Sequence, residues 1–272
     1  MQGSTLSIPA KSRIPAKSIA MPLEHGAWGF LFEPLLAGML IAPTVSGTLI
    51  AVLIIGAFLC RQPLKFVVGD LLSGKRLPRT AVAVRWLIYF STVAAFGAVG
   101  TYFTVEPRSL IPLVISAPVA IYLIYLDASR KSRDTLPELL GAAILASSIA
   151  SLSLAAGLSY LFAGSMWLIM VARLIPSVIY VRNRLRLEKS KAYSIVWPFV
   201  LHVAAIAILA TLYFYGFGSV LTLIVAAFLL GRSVTGLSAN RKRQTAKQLG
   251  VREVVYGVVY ALSVVVGYYV RV

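Results

Sequence analysis

Cysteine is nearly absent from this chain: Cys60 stands alone, which excludes an intramolecular disulfide and argues against a cysteine-rich metal site or cluster. Acidic side chains are also scarce, with 9 Asp+Glu against 26 Lys+Arg, so there is little from which to build a carboxylate cage for a hard cation. No nucleophile triad, Gly-rich phosphate loop, haem-ligand pair or zinc spacing is visible. The opening is not a signal peptide either. Met1 to Ala20 is rich in Ser, Pro and Lys, carries Lys11, Arg13 and Lys17, and lacks the continuous apolar stretch that such a peptide needs. Residues 1–20 are therefore expected to be a disordered cytoplasmic tail.

What the chain has in abundance is apolar length. Hydrophobic residues make up 59% of it, charged residues 13%, and the mean hydropathy is +0.85. A soluble domain of this size could not hide so much apolar surface, so the expected class is all-α, a polytopic membrane bundle. Nine apolar runs follow the tail, at about 23–43, 46–60, 81–104, 109–126, 137–157, 164–182, 194–215, 217–233 and 252–270. Each is long enough for a spanning or nearly spanning helix, the second and eighth being short. Residues 21–272 are expected to form one nine-helix transmembrane domain.

A formal charge of +17 ordinarily suggests nucleic acid. Here the basic residues sit in short turns between apolar runs, which is the positive-inside pattern, so no nucleic-acid partner is expected. With the N-terminus inside, 23 of the 26 Lys+Arg fall in cytoplasmic segments. Arg108 and Arg271 fall outside, and Arg173 lies within a span. The expectation is a multi-pass plasma-membrane protein with a cytoplasmic N-terminus and an external C-terminus.

Two basic stretches organise the chain. Cys60 to Arg79 holds five basic residues against Asp70, and Ala172 to Lys191 is a second. A shift of 111 residues brings Trp86 onto Trp197, Tyr102-Phe103 onto Tyr213-Phe214, and Arg130-Lys131 onto Arg241-Lys242. Arg61 falls one residue short of Arg173. The pattern predicts two four-helix repeats in the same orientation plus a ninth helix, and repeats tend to place a site at their interface.

Glu24-His25-Gly26-Ala27-Trp28-Gly29, followed by Glu33-Pro34-Leu35-Leu36-Ala37-Gly38, resembles the opening signature of the YwiC-like membrane protein family. Arg61-Gln62-Pro63-Leu64-Lys65 and the Arg173 to Arg184 stretch are also similar to that family's pattern, so the resemblance covers most of Met21 to Val272. It supplies a class and no activity. The four-plus-four-plus-one arrangement, with polar segments after the second and sixth runs, is more distantly similar to the UbiA superfamily of intramembrane prenyltransferases. That resemblance implies aspartate-rich motifs in those segments, holding magnesium against an isoprenoid diphosphate. This chain departs there. The first segment keeps only Asp70, and the second has Arg182, Asn183, Arg184 and Arg186 with Glu188 alone. The resemblance therefore implies the fold without the metal-dependent transfer, and no metal or cofactor is expected.

Arg61, Lys65, Arg76, Arg79, Arg182 and Arg184 are the candidate anion- or lipid-binding residues, converging on a cytoplasmic mouth. Guanidinium groups bind phosphate oxygens bidentately without a metal. The plainer alternative is that they fix topology and touch anionic headgroups. Glu24 and His25, with Asp70, are the acid–base candidates, against the alternative of a helix-start carboxylate and an interfacial histidine. Glu33, Arg173 and His202 are expected about 12–15 Å from the cytoplasmic side and facing the bundle interior, because a charge at that depth pairs or meets a polar cavity. The readings left open are a lipid-handling protein or atypical transferase taking a phosphorylated or isoprenoid lipid, a small-molecule or anion transporter, and a non-catalytic scaffold. Membrane lipids are partners in all three.

Overall fold

The computed structural model describes residues 16–22, 25–74, 77–129 and 134–270. These fold into α1 (Ala16–Ala20), α2 (His25–Ile41), α3 (Val45–Leu72), α4 (Pro78–Thr104), α5 (Ile111–Ala128, after a 3-10 turn at Pro107–Leu110), α6 (Thr135–Ala155), α7 (Tyr160–Glu188), α8 (Val196–Phe214), α9 (Val220–Leu237) and α10 (Ala246–Val270). Among the described residues there is no strand. Eight of the helices, α3 to α10, are long and apolar enough to cross a membrane, and Gly26–Ile41 of α2 is a shorter apolar helix.

Local chemistry sets the helix ends. At one face of the bundle, Thr44, Ser159 and Ser219 begin α3, α7 and α9, each accepting a hydrogen bond from the backbone N–H three residues on. At the same face α6 and α8 stop on Gly157 and Gly216, both at φ +79°. There Leu158 N–H reaches back to Ser153 O and Phe217 N–H to Leu212 O, using carbonyls the ended helix leaves free.

The opposite face carries almost all the positive charge. Because the helices alternate in direction, it receives the start of α2, the end of α3 and the start of α4. It likewise receives the end of α7, the end of α9 and the start of α10. Arg108, paired with Glu106 at 2.7 Å, is the one basic residue at the other face among the described residues.

Two expectations are corrected. The second apolar run does not stop near Cys60: α3 continues to Leu72, and α7 likewise carries the second basic stretch out to Glu188. At 28 and 29 residues these helices are longer than the roughly 30 Å of a hydrocarbon core, so their basic ends are helical extensions into the aqueous layer rather than loops. The end of the presumed tail is also ordered. Residues 1–15 lie outside the described residues, but Ala16–Ala20 is helical and buries Ile19 and Ala20, with Gln62 Nε2 donating to Ser18 O at 2.9 Å. Apolar side chains at its end give this turn something to pack against.

α6 and α7 form the centre. About 67% of the apolar window of α7 is buried and 56% of that of α6, against 11% for α5, so α5 and α4 are the peripheral elements. Ile88, Tyr89, Phe96, Val114 and Ile121 on these two helices point outward, as lipid-facing side chains do. α4 is held against α3 by close backbone approach: a Cβ on Gly56 would meet the Ala94 backbone, and one on Gly97 the Leu53 backbone.

Candidate functional site

A cavity of about 580 Å³ opens at the basic face, between α2, α3, α5, α6, α7 and α10. Its mouth is polar. Arg61 and Lys65 reach it from the end of α3, Arg182 from the end of α7 and Lys247 from the start of α10. Arg61 Nε pairs with Asp127 Oδ2 at 2.6 Å, and Arg182 Nη1 with Glu138 Oε2 at 2.8 Å. Among the described residues no ion pair joins Lys65 or Lys247 to a carboxylate. The walls are apolar, with Phe30, Leu123, Leu145, Val178, Val181 and Val254 among them.

The floor is built from ionisable side chains. Arg173, nine residues before Arg182 on the same helix, lies about 13 Å deeper. Its Nε is 3.7 Å from Glu33 Oε2 on α2, and its Nη2 is 3.5 Å from Glu253 Oε2 on α10. Nη1 donates to Ser177 Oγ, one turn on, and Nη2 also reaches Glu253 O at 3.2 Å. Glu253 in turn pairs with Arg232 of α9. Arg232 sits 4.1 Å from the Tyr180 ring centroid and 5.3 Å from that of Tyr256, a cation–π sandwich. Four helices thus contribute an alternating chain, Glu33–Arg173–Glu253–Arg232, whose formal charges cancel.

Small residues make room for it. A Cβ on Gly257 of α10 would overlap the Glu33 carboxylate, and one on Gly29 would lie 3.2 Å from Glu33 Oε1. The α2–α10 contact is therefore built around that carboxylate. Beyond the floor the bundle is closely packed: Tyr260, Met170 and Ile149 are fully buried, and Tyr260 Oη donates to Ile169 O at 2.8 Å.

The sequence candidates are distributed unevenly. The structure brings Glu33, Arg61, Lys65, Arg173 and Arg182 to one cavity. His202 is buried on α8 with Nδ1 at 2.7 Å from Pro198 O and does not line it. Arg184 does not line this cavity. It is 1% exposed, and its guanidinium binds Gly236 O, Lys242 O at 2.5 Å and Glu188 Oε1 at 2.7 Å, fastening the α9–α10 connection to α7. Asp70 is likewise engaged. It accepts from Arg79 Nη2 at 2.6 Å and Thr80 Oγ1 at 2.6 Å, tying the end of α3 to the start of α4 beside a separate small cavity of about 130 Å³. These bonds tie Asp70 and Arg79 to each other, and neither lines the larger cavity. Glu24 and Arg76 lie outside the described residues, as does the side chain of His25.

Sequence reading missed Glu253, Arg232, Lys247, Asp127 and Glu138. It began the last helix at 252 and ended the eighth at 233, which left Lys247 in a loop and Glu253 and Arg232 at helix ends. A signal was present: Leu249, Glu253, Gly257, Tyr260 and Val264 recur at helical spacing and form the buried face of α10.

Residues 21–153 match the YwiC-like protein family. The YwiC-like segment runs from the approach to α2 nearly to the end of α6, a shorter reach than the motif resemblance suggested. It supplies Glu33, Arg61, Lys65, Asp127 and Glu138 to the cavity, while Arg173, Arg182, Lys247 and Glu253 come from the chain beyond it. No curated protein and no solved structure matches the chain. Magnesium held as the UbiA resemblance implies does not fit these residues. Asp70 is locked to Arg79 and Thr80, Glu188 is bound by Arg184, and no group of three or more metal-ligating side chains occurs among the described residues.

Proposed function

We propose that this YwiC-like integral membrane protein binds a lipid-like ligand in the α2/α3/α7/α10 cavity, with an anionic, phosphate-type headgroup at the basic mouth. The observation that carries the reading is the convergence of Arg61, Lys65, Arg182 and Lys247, from three helices, over apolar walls. Lys65 and Lys247 offer charge that no carboxylate neutralises among the described residues. Arg61 is 39% exposed, so its pair with Asp127 stabilises little and exchanges readily for a ligand oxygen. Phosphorylated and isoprenoid lipids both present such a group on an apolar body. The topology consistent with this reading counts α2 as a short ninth span and places the basic face in the cytoplasm by the positive-inside rule. The 111-residue shift carries α2–α5 onto α6–α9, which supports a UbiA-like pair of four-helix units.

Native mass spectrometry of the purified full-length protein tests the proposal. A retained amphiphilic anion is expected, and the double variant Lys65→Gln, Lys247→Gln should lose it. A variant that retains the same adduct to the same extent would refute the basic mouth as its site. A transporter is the second reading, favoured by the ionised residues at mid-bundle, where polar groups commonly mark a pathway. It requires the seal around Tyr260 to open, so solute flux into proteoliposomes separates the two.

A further inference from the structure

The floor of the cavity is the wrong surface for the end of a hydrocarbon chain. A plain acyl or prenyl tail reaching it would terminate against Glu33, Arg173 and Glu253 and would strip any water from them with nothing in return. All three side chains are nine-tenths or more buried. Yet Glu33 Oε2, Arg173 Nε and Glu253 Oε2 each lack a hydrogen-bond partner among the described residues. Two acceptors thus flank the Arg173 guanidinium at ion-pair separations, 3.7 and 3.5 Å, longer than an ordinary direct hydrogen bond. The members lining the cavity are two carboxylates and one guanidinium, since Arg232 lies behind Glu253 and does not line it. A second anion is therefore unwelcome there, whereas a neutral group that both donates and accepts fits.

We infer that the cavity takes a ligand polar at both ends: an anionic group at the Lys65/Lys247 mouth and a hydroxyl between Glu33 and Arg173, roughly 9 Å below Lys247 along α10 and roughly 13 Å below Arg182 along α7. The hydroxyl donates to a floor carboxylate and accepts from the Arg173 guanidinium. Its apolar middle lies along Phe30, Leu145 and Val178. This inference rests on the lipid-binding reading above and adds the chemistry of the ligand's buried end.

Two probes of equal length decide it: decyl phosphate, and decyl phosphate with a terminal hydroxyl on the last carbon. Both are titrated into the full-length protein in detergent micelles and followed by calorimetry. The hydroxylated probe is expected to bind at least about tenfold more tightly, the worth of a hydrogen bond to a charged group. In Glu33→Gln, which keeps the shape but removes the charge, that preference should shrink below about threefold. Equal or tighter binding of plain decyl phosphate by the unmodified protein would overturn the inference and leave the lipid-binding reading standing. If neither probe binds, both fall.

Discussion

Glu253 is the shared member of the buried charge chain, and neutralising it tests whether the four residues act as one unit. In the folded protein Glu253 pairs with both Arg173 and Arg232, and all three are at least nine-tenths buried. Glu253→Gln keeps the volume but leaves two guanidinium groups with only Glu33 between them, one uncompensated positive charge in a low-dielectric interior. Breaking a buried pair in this way costs about 3–5 kcal/mol. Arg232→Gln leaves the opposite imbalance and should cost a similar amount. The double variant restores neutrality, with Glu33–Arg173 intact, so its loss should fall short of the sum of the two single losses by about 1–3 kcal/mol. The assay is reversible unfolding of the purified protein in mixed detergent micelles, followed by helicity. Strictly additive losses, or single-variant losses below about 1 kcal/mol, would show that the residues are screened by water and do not form a closed network.

Three further outcomes are expected. Arg184→Met should destabilise the fold by about 1–3 kcal/mol in the same assay, because Gly236 O and Lys242 O lose their donor, yet leave decyl phosphate binding unchanged. Loss of binding there would return Arg184 to the site. Gly257→Ala should cost about 1–3 kcal/mol and move Glu33, since the added methyl must displace its carboxylate; an unaltered unfolding midpoint would contradict that packing. Ligand affinity should be equal with and without EDTA and should fall as salt is raised, since contacts at the exposed mouth are screened; a strict metal requirement would reinstate carboxylate-held magnesium.

Much of the architecture could be read before any coordinates, because lipid-facing helices advertise themselves by apolar length. The apolar runs fall on α2 to α10, and the alternation of charge with helix ends places the basic residues at one face. What failed were boundaries, and the reason is physical. A helix that leaves the membrane changes composition but not conformation, so the charged ends of α3 and α7 read as loops although each is one helix through to Leu72 or Glu188. The same error hid Arg232 and Glu253, whose charge suggested an aqueous segment. Arg184 is the opposite case, a charge that sequence alone could not mark as buried. Its neighbours Arg182 and Arg186 are part-exposed and exposed, and nothing in sequence separates a guanidinium facing a cavity from one turned onto the carbonyls of a neighbouring helix.

Glu33 and Arg173 could be placed at mid-bundle by counting residues from helix ends, but their meaning depends on partners that counting does not give. Two charges alone at that depth would form a structural lock between α2 and α7. With Glu253 and Arg232 added, Arg173 is divided between two carboxylates and bonded squarely to neither. A lock built for stability alone gains from short, fully made hydrogen bonds, and apolar replacement commonly stabilises such a core. A half-satisfied network at the bottom of an open cavity keeps hydrogen-bonding capacity in reserve. That reserve, on side chains nine-tenths or more buried, is the physical ground for placing a ligand's polar end there rather than treating the four residues as a brace.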